Sequence, residues 1–301
     1  MRYSFVILHY ATMRDTIACV NSINNLRVSC DDVIDIIIVD NSSPNGSGIE
    51  LKNKYNGQDN IHVLILENNI GFANGNNYGY KYAKKVCHAD FIIVSNNDVV
   101  FPQIDFLRRL ERVYTATQFE VCGPDIVVPS SGLHQNPVSL RPYNRNDVVS
   151  TIALYEKKLS REERGGLLIF VKEAVKMILE STAIGNRFIK LRNKFSHKEW
   201  MKSCYDNPIL HGACVICSSS FISREQTIFW PGTFMYFEEP ILNYLCNIKR
   251  YRMIYSNELT VFHNEDSSTN FTYSSRLERN RFKYTNGIKS GYAFLDLIDA
   301  N

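Results

Sequence analysis

No run of ~18 uninterrupted apolar residues occurs in this 301-residue chain, so no membrane-crossing helix is expected. The first residues read as a strand, without the charged and then apolar build of a secretory leader, so the chain is expected to stay in the cytoplasm. Cysteine occurs eight times, at positions 19, 30, 87, 122, 204, 214, 217 and 246, without framework spacing. A disulfide scaffold is therefore excluded, and runs such as Ala213 to Cys217 suit buried thiols in a reducing compartment. Cys214 and Cys217 form a lone C-x-x-C with no second pair to complete a zinc site, so core packing is the better reading. Thirty-four Lys and Arg against 31 Asp and Glu leave a net charge of only +3, too little to attract nucleic acid over the whole surface. No G-x-G-x-x-G follows the first strand, where His9-Tyr10-Ala11-Thr12 stands instead, and this argues against a dinucleotide-dependent oxidoreductase. Internal repeats and low-complexity segments are missing as well.

What is present is a core-forming composition, 45% apolar and 22% charged, in a rhythm of short apolar runs and longer amphipathic stretches. Phe5 to Leu8, Val33 to Val39, Ile61 to Leu66, Phe91 to Val94 and Val121 to Val128 read as strands. Helices are expected near 12–25, 48–56, 73–86 and 103–116. That alternation predicts an α/β fold, a mostly parallel, Rossmann-like central sheet flanked by helices. In such sheets ligands bind beyond the carboxyl ends of the strands. The residues there are polar: His9-Tyr10, Asp40-Asn41-Ser42-Ser43, Asn68-Asn69 and Ser95-Asn96-Asn97-Asp98. Any one of these groups could be turn chemistry; four on one rim supply acid, amides and an aromatic face to a single crevice.

The second half differs in charge. Residues 141–205 hold 14 Lys and Arg and 7 Asp and Glu, a local +7. Leu167, Leu168, Val171, Val175, Ile178 and Leu179 form an apolar helical stripe, continued at Ile184, Phe188, Leu191 and Phe195. Two uses stay open for it: packing on the sheet or a second subunit of a homo-oligomer, or peripheral contact with an anionic membrane leaflet. The β pattern resumes over Gly212 to Ile222. A helix is expected up to Lys249, then a strand at Arg252 to Ser256, the apolar pair Val261-Phe262 leading to His263, and one or two helices in the tail from Phe271.

Asp98 at a strand end offers oxygen to a hard divalent cation, and His263 is a candidate second ligand because it too follows a β-like run. Glu238 and Glu239 follow the apolar Phe234 to Phe237 and precede Pro240, which fits the first turn of a helix. One reading makes them helix-start carboxylates favoured by the macrodipole. The other makes one of them a general base, its proton affinity raised by its neighbour and an apolar setting.

Taken in order, the first strand ending in Tyr10, Ile38 to Ser43, Glu67 to Asn77, Ser95 to Asp98, His211-Gly212-Ala213, Phe234 to Glu239 and His263 resemble a family 2 glycosyltransferase of the GT-A fold. The resemblance covers most of 3–128 and 211–270 and is closest to bacterial rhamnosyl- and galactofuranosyl-transferase-like members. It implies a nucleotide-sugar-binding half (1–128), a basic amphipathic helical insert (129–210), an acceptor-binding and catalytic half (211–270) and a C-terminal helical tail (271–301). Donor binding is implied for Leu8, Tyr10, Asp40, Asn69, Gly71, Asn77, Asn96 and Asn97. Asp98 and His263 would hold a divalent metal, Mn or Mg, with Glu239 as catalytic carboxylate and Glu238 beside it shaping the acceptor site.

The implied reaction is an inverting transfer of one sugar from a UDP- or dTDP-sugar to a lipid-linked glycan acceptor in bacterial surface polysaccharide biosynthesis, at the inner face of the cell membrane. Asn96 stands where the family has the first acid of D-x-D, and Glu238-Glu239 replaces the usual Glu-Asp pair. The Q-x-x-R-W of processive synthases is missing, since neither Trp200 nor Trp230 follows an arginine. A catalytically silent nucleotide- or glycan-binding protein of the same fold is the rival reading.

Overall fold

The computed structural model describes residues 1–164, 205–264 and 275–301. The amino-terminal strands lie where the apolar runs place them: β1 (Arg2–His9), β2 (Val33–Asp40), β3 (Ile61–Ile65) and β4 (Phe91–Asn96). They pair in the order β3-β2-β1-β4, all parallel. β1 and β2 are covered on both faces, which is why they read as near-continuous Val, Ile and Phe rather than as an alternation. The connections are helical: α1 (Met13–Asn24), α2 (Ser47–Lys54) and α3 (Gly71–Lys85).

Beyond β4 come β5 (Val99–Val100), α4 (Phe106–Thr117), β6 (Val121–Val128), β7 (Leu133–His134) and α5 (Arg145–Arg164). The second half supplies β8 (Tyr205–Asp206), β9 (Cys214–Cys217), α6 (Ser219–Arg224), α7 (Glu238–Ile248), β10 (Met253–His263) and α8 (Arg276–Asp299). One sheet joins both halves, in the order β3-β2-β1-β4-β9-β6-β10-β5, with β7 on β6 and β8 on β10. β9 runs antiparallel between β4 and β6, while β6 and β10 are parallel.

Each sheet face carries its own core. Phe5, Ile7, Ile36, Ile38 and Ile93 face α1, α2 and α4. Val6, Ile37, Val39, Ile92 and Val94 face α3, α6 and α7. Gly75 and Gly79 let α3 lie close on the sheet: a Cβ at Gly79 would come within 2.4 Å of Val6, and one at Gly75 within 2.6 Å of Leu8. A third core, with Val148, Ile152, Phe237, Ile241 and Phe294, joins α5, α7 and α8.

Three expectations change in detail. The β run expected over 212–222 is only the four residues of β9, because Ser218, its hydroxyl donating to Phe119 O at 2.7 Å, ends the strand and precedes α6. The segments expected separately at 252–256 and 261–263 are one strand, β10, with a register irregularity between Ser256 and Thr260. The stretch 129–210 is not helical throughout, since β7 and β8 within it join the sheet. The tail agrees with the helical expectation: its described part is the single helix α8, begun by a capping box between Ser275 and Glu278. The apolar stripe expected between 167 and 195 lies outside the described residues. No helix among the described residues is long and apolar enough to cross a membrane.

Candidate active site

At the carboxyl ends of β1 and β2, hydrogen bonds stitch two turns together. Ala11 N–H donates to Ser43 Oγ at 2.8 Å, Asn45 Nδ2 donates to Ala11 O at 2.9 Å, and the Ser43 hydroxyl donates to Asp40. Asp40 is buried and leans on the first turn of α2, where a Cβ at Gly48 would meet its Oδ2 at 2.0 Å. His9, also buried, spans Thr16 Oγ1 (2.6 Å) and Ser47 Oγ (2.8 Å). Burial holds its pKa down to about 4, so it is a neutral strut for the rim rather than an ion-pair partner of Asp40. Leu8 and Tyr10 are half-buried beside it.

The start of α3 is clamped from two sides. Asn41, which the sequence reading left without a role, donates to Asn69 Oδ1 (3.0 Å) and Gly71 O (3.2 Å) and accepts from Ile70 N–H (3.0 Å). Opposite it, Phe72 N–H donates to Phe234 O at 2.7 Å. Gly71 sits between them at φ +85°, and a Cβ there would lie 2.2 Å from Phe234 O. Gly71→Ala is expected to cost about 2 kcal/mol or more, from the left-handed backbone and the collision together. An unchanged urea midpoint would contradict this. Asn77 does not open on the crevice: its amide is consumed by Phe229 O (2.8 Å) and by the N–H groups of Ile228 (3.1 Å) and Phe229 (3.0 Å). It fixes segment 228–234, which carries the clamp on Gly71.

After β4, Asn97 also turns inward, donating to Thr12 Oγ1 (2.8 Å) and Thr16 Oγ1 (3.0 Å) and so anchoring α1. Asn96 stays half-buried at the rim, its N–H on Ala213 O at 2.9 Å. Asp98 and His263 meet across the β5–β10 pairing, with Asp98 Oδ1 3.3 Å from His263 Nε2 and both residues buried. The other ring nitrogen, Nδ1, lies 2.7 Å from Gln135 Oε1. Since an amide oxygen can only accept, Nδ1 carries a proton and Nε2 is the nitrogen turned toward the carboxylate. With a neutral ring, Nε2 and the carboxylate oxygen would both offer electron pairs to a cation held between them. An oxygen and an imidazole nitrogen, the latter oriented by an amide, fit Mn or Mg.

His211 completes this corner. Its ring lies 5.8 Å from that of His263, its N–H donates to Asn136 Oδ1 (3.0 Å), and its Nδ1 accepts from Ala213 N–H (3.1 Å), which leaves the proton on Nε2. Burial lowers its pKa against the opposing charge of Glu239, so the ring is a neutral donor. The next peptide, Gly212 N–H, donates to Glu239 Oε1 at 3.3 Å. Residues 211–213 thus tie the carboxylate to the Asp98–His263 pair.

Glu238 and Glu239 open α7 after two consecutive non-glycine residues in the left-handed region, Tyr236 (φ +74°) and Phe237 (φ +69°). Such a turn is costly by about 1–3 kcal/mol per residue and persists only where its surroundings hold it. α8 does so: Ser290 Oγ donates to Met235 O at 2.8 Å, and Phe294 packs on Phe237. The two glutamates end in different settings. Glu239 is half-buried, whereas Glu238 is 4% exposed and accepts from Thr233 Oγ1 at 3.0 Å. Burial, then the neighbouring charge of Glu239, raises the Glu238 pKa to about 8.

The raised proton affinity expected of the base therefore falls on the other member of the pair. The folded chain holds this proton between the ordinary carboxylate pKa and about 8, and the unfolded chain does not. The stabilisation is complete at acid pH and lost as pH rises through that window, by about 3–5 kcal/mol. Glu238→Gln should flatten this decline in thermal midpoint between about pH 5 and pH 9. Parallel curves for the two proteins would refute the assignment.

Residues 4–178, more than half of the chain, match the family model described as Glycosyl transferase family 2. The chain belongs to glycosyl transferase family 2. Over 124 residues this family 2 glycosyltransferase is 27% identical to the low-salt glycan biosynthesis hexosyltransferase Agl10 of Haloferax volcanii, a match spanning 41% of this chain and only 36% of that relative. Its GT-A fold is shared with solved structures of low identity. The mannosyltransferase PcManGT from Pyrobaculum calidifontis, in complex with GDP-Man and Mn2+, superposes at a TM-score of 0.53, with 10% identity, over 97% of this chain and 69% of that one. S. aureus TarS 1–349 in complex with UDP-GlcNAc gives 0.52, with 12% identity, over 91% and 62%.

Proposed function

We propose that this family 2 glycosyltransferase moves one sugar, with inversion, from a nucleoside-diphosphate sugar to a hydroxyl of a glycan acceptor. The observation that carries the reading is the joining of two functions by residues 211–213: a rim carboxylate, Glu239, on Gly212 N–H, and the Asp98–His263 pair beside His211. Inversion needs a base on one side of the anomeric carbon and charge stabilisation for the leaving diphosphate on the other. Glu239 takes the acceptor proton, since the more buried Glu238 keeps its own near neutral pH. Asp98 and His263 would hold a divalent cation, which when bound neutralises charge on the departing diphosphate. Neutral His211, beside His263, carries its ring proton on Nε2.

Leu8, Tyr10, Asn69 and Asn96 contact the donor in this reading, and Asp40 sets the shape of its base pocket. Asn77 and Asn97 are positioning residues, their amides spent on segment 228–234 and on α1. The nucleotides in the neighbouring structures, UDP-GlcNAc and GDP-Man with Mn2+, and the hexosyltransferase name of Agl10 support a nucleotide-sugar donor. We assign the donor to the UDP- or dTDP-sugars and the acceptor to a lipid-linked glycan of a surface polysaccharide, met at the inner membrane face. Residues 1–128 form the donor half, 129–210 the insert, 211–270 the acceptor half, and 271–301 the tail that supports the catalytic turn.

The test is a thermal-shift panel of nucleoside diphosphates and nucleotide sugars, each with and without Mn2+. Ligands that bind the native state raise the midpoint by mass action. A Mn2+-dependent rise with one nucleotide, followed by turnover of its sugar, is the expected result. Binding without turnover on any glycan acceptor would favour the silent-binder reading, and no response would overturn the donor assignment.

A further inference from the structure

A second constellation lies at the opposite end of the strands. Asp35 is the third residue of β2, His62 the second of β3, and Cys87 follows the end of α3. Asp35 stands five positions before the rim residue Asp40, about 17 Å down the sheet at the rise of an extended strand. The register explains why these residues meet. Ile37 pairs with His62 and Ser4 with Asp35, so Asp35 and His62 project from the face that α3 covers. One ligand atom from each of Asp35, His62 and Cys87 lies within 4.8 Å of the other two. His62 Nε2 is 3.6 Å from Asp35 Oδ1, and its Nδ1 is 3.2 Å from the Tyr82 hydroxyl of α3. Arg2 Nη1 donates to Cys87 O at 2.8 Å and fixes that residue's backbone beside β1.

An aspartate inside the apolar run Val33 to Val39 needs a reason. Asp35 is 9% exposed, and its Oδ2 is fully shielded with no hydrogen-bond partner. Ser4, wholly buried, lies beside the Cys87 thiol. Leaving a buried polar atom unsatisfied is costly, and a carboxylate oxygen left so within this cluster points to a missing ligand. The donor set names its class. A thiolate and an imidazole exclude the all-oxygen preference of magnesium and calcium and suit zinc, with the carboxylate as third ligand and a fourth position left for water.

A nucleophilic triad fits poorly, because the hydrogen bond of His62 goes to Tyr82 and none joins its ring to Cys87. Burial, then the charge of Asp35, also pushes the Cys87 thiol up to about 11, so it is not an activated nucleophile.

We infer that Asp35, His62 and Cys87 form a zinc site that clamps the edge strand β3 and the end of α3 to β2. On binding, the Cys87 S–H bond breaks, its proton goes to solvent and a sulfur–zinc bond forms. The thiolate and carboxylate together then balance the charge of the ion. His62 binds through Nε2 while its Nδ1–H is held by Tyr82, the second-shell arrangement usual for ligating histidines.

The test uses the full-length, chelator-treated protein titrated with Co2+, which reports sulfur ligation by a thiolate-to-metal charge-transfer band in the near ultraviolet. One equivalent should produce the band, and Zn2+ should displace it. Cys87→Ser should abolish it, and Asp98→Ala should leave it intact, because the rim pair contains no sulfur. No band, or one that survives Cys87→Ser, would overturn the proposal. If Cys87→Ser fails to fold by circular dichroism, His62→Gln carries the test: Co2+ and Zn2+ affinities, read by competition with a chromophoric chelator, should fall at least about tenfold. Unchanged affinity would again overturn it.

Discussion

Glu239→Gln is expected to lower turnover by about 10²–10⁴-fold while donor affinity stays within about twofold of wild type. The two glutamates are adjacent in sequence but not equivalent. Glu238 is buried against Thr233 and holds its proton to about pH 8, whereas Glu239 is half-buried, accepting from Gly212 N–H at 3.3 Å. Glutamine keeps the size of the side chain and can still accept that hydrogen bond through its amide oxygen, so the turn before α7 should survive. What disappears is the capacity to take a proton. The separation of kcat from donor binding is therefore the informative readout, taken by single-turnover kinetics beside calorimetry. Full turnover in the Gln variant would move the base elsewhere on the rim.

The second large effect is expected at the buried pair. Asp98→Ala should weaken Mn2+-dependent donor binding by at least about 100-fold and leave little transfer, because the carboxylate is the only acid of the Asn96 to Asp98 segment. Calorimetry with the nucleotide that responds in the thermal panel, with and without Mn2+, checks it. Affinity that is the same in both proteins, and indifferent to the ion, would remove the cation from the reading. The effect is specific to the carboxylate rather than to folding if the metal-free thermal midpoint moves by only a few degrees.

The main sheet was readable because its central strands are buried on both faces, and a strand so placed is mostly apolar. Val33 to Val39 and Phe91 to Val94 announce themselves on that ground alone. β10 is harder, since Asn257 and Glu258 interrupt it at the register irregularity, and no period-two pattern survives across them. β9 was overextended because Phe221 and Ile222 are as apolar as strand residues but are buried on a short helix. At the site, the residue types and their order pointed to Asp98, His263 and the two glutamates. The direction of each side chain did not follow from them.

Asn77 and Asn97 carry the same amide as Asn96, yet the chain turns theirs onto the backbone of Ile228 and Phe229 and onto Thr12 and Thr16. Gln135 and Asn41 lacked a local signal, since their partners are 128 and up to 30 positions away. The Asp35, His62 and Cys87 cluster was invisible for the same reason: only strand register brings it together.

The reversed direction of β9 has a consequence for backbone polarity. β1, β2 and β4 end at this rim, and the chain leaves the sheet there. β9 begins at the rim instead, opposite the end of β4, with Cys214 beside Ser95. The peptides that lead into it carry two donors to the site: Gly212 N–H reaches Glu239, and Ala213 N–H reaches His211. A single antiparallel strand thus brings two fixed main-chain donors to the rim. Negative charge on a side chain or substrate can rest there without drawing on a lysine or an arginine.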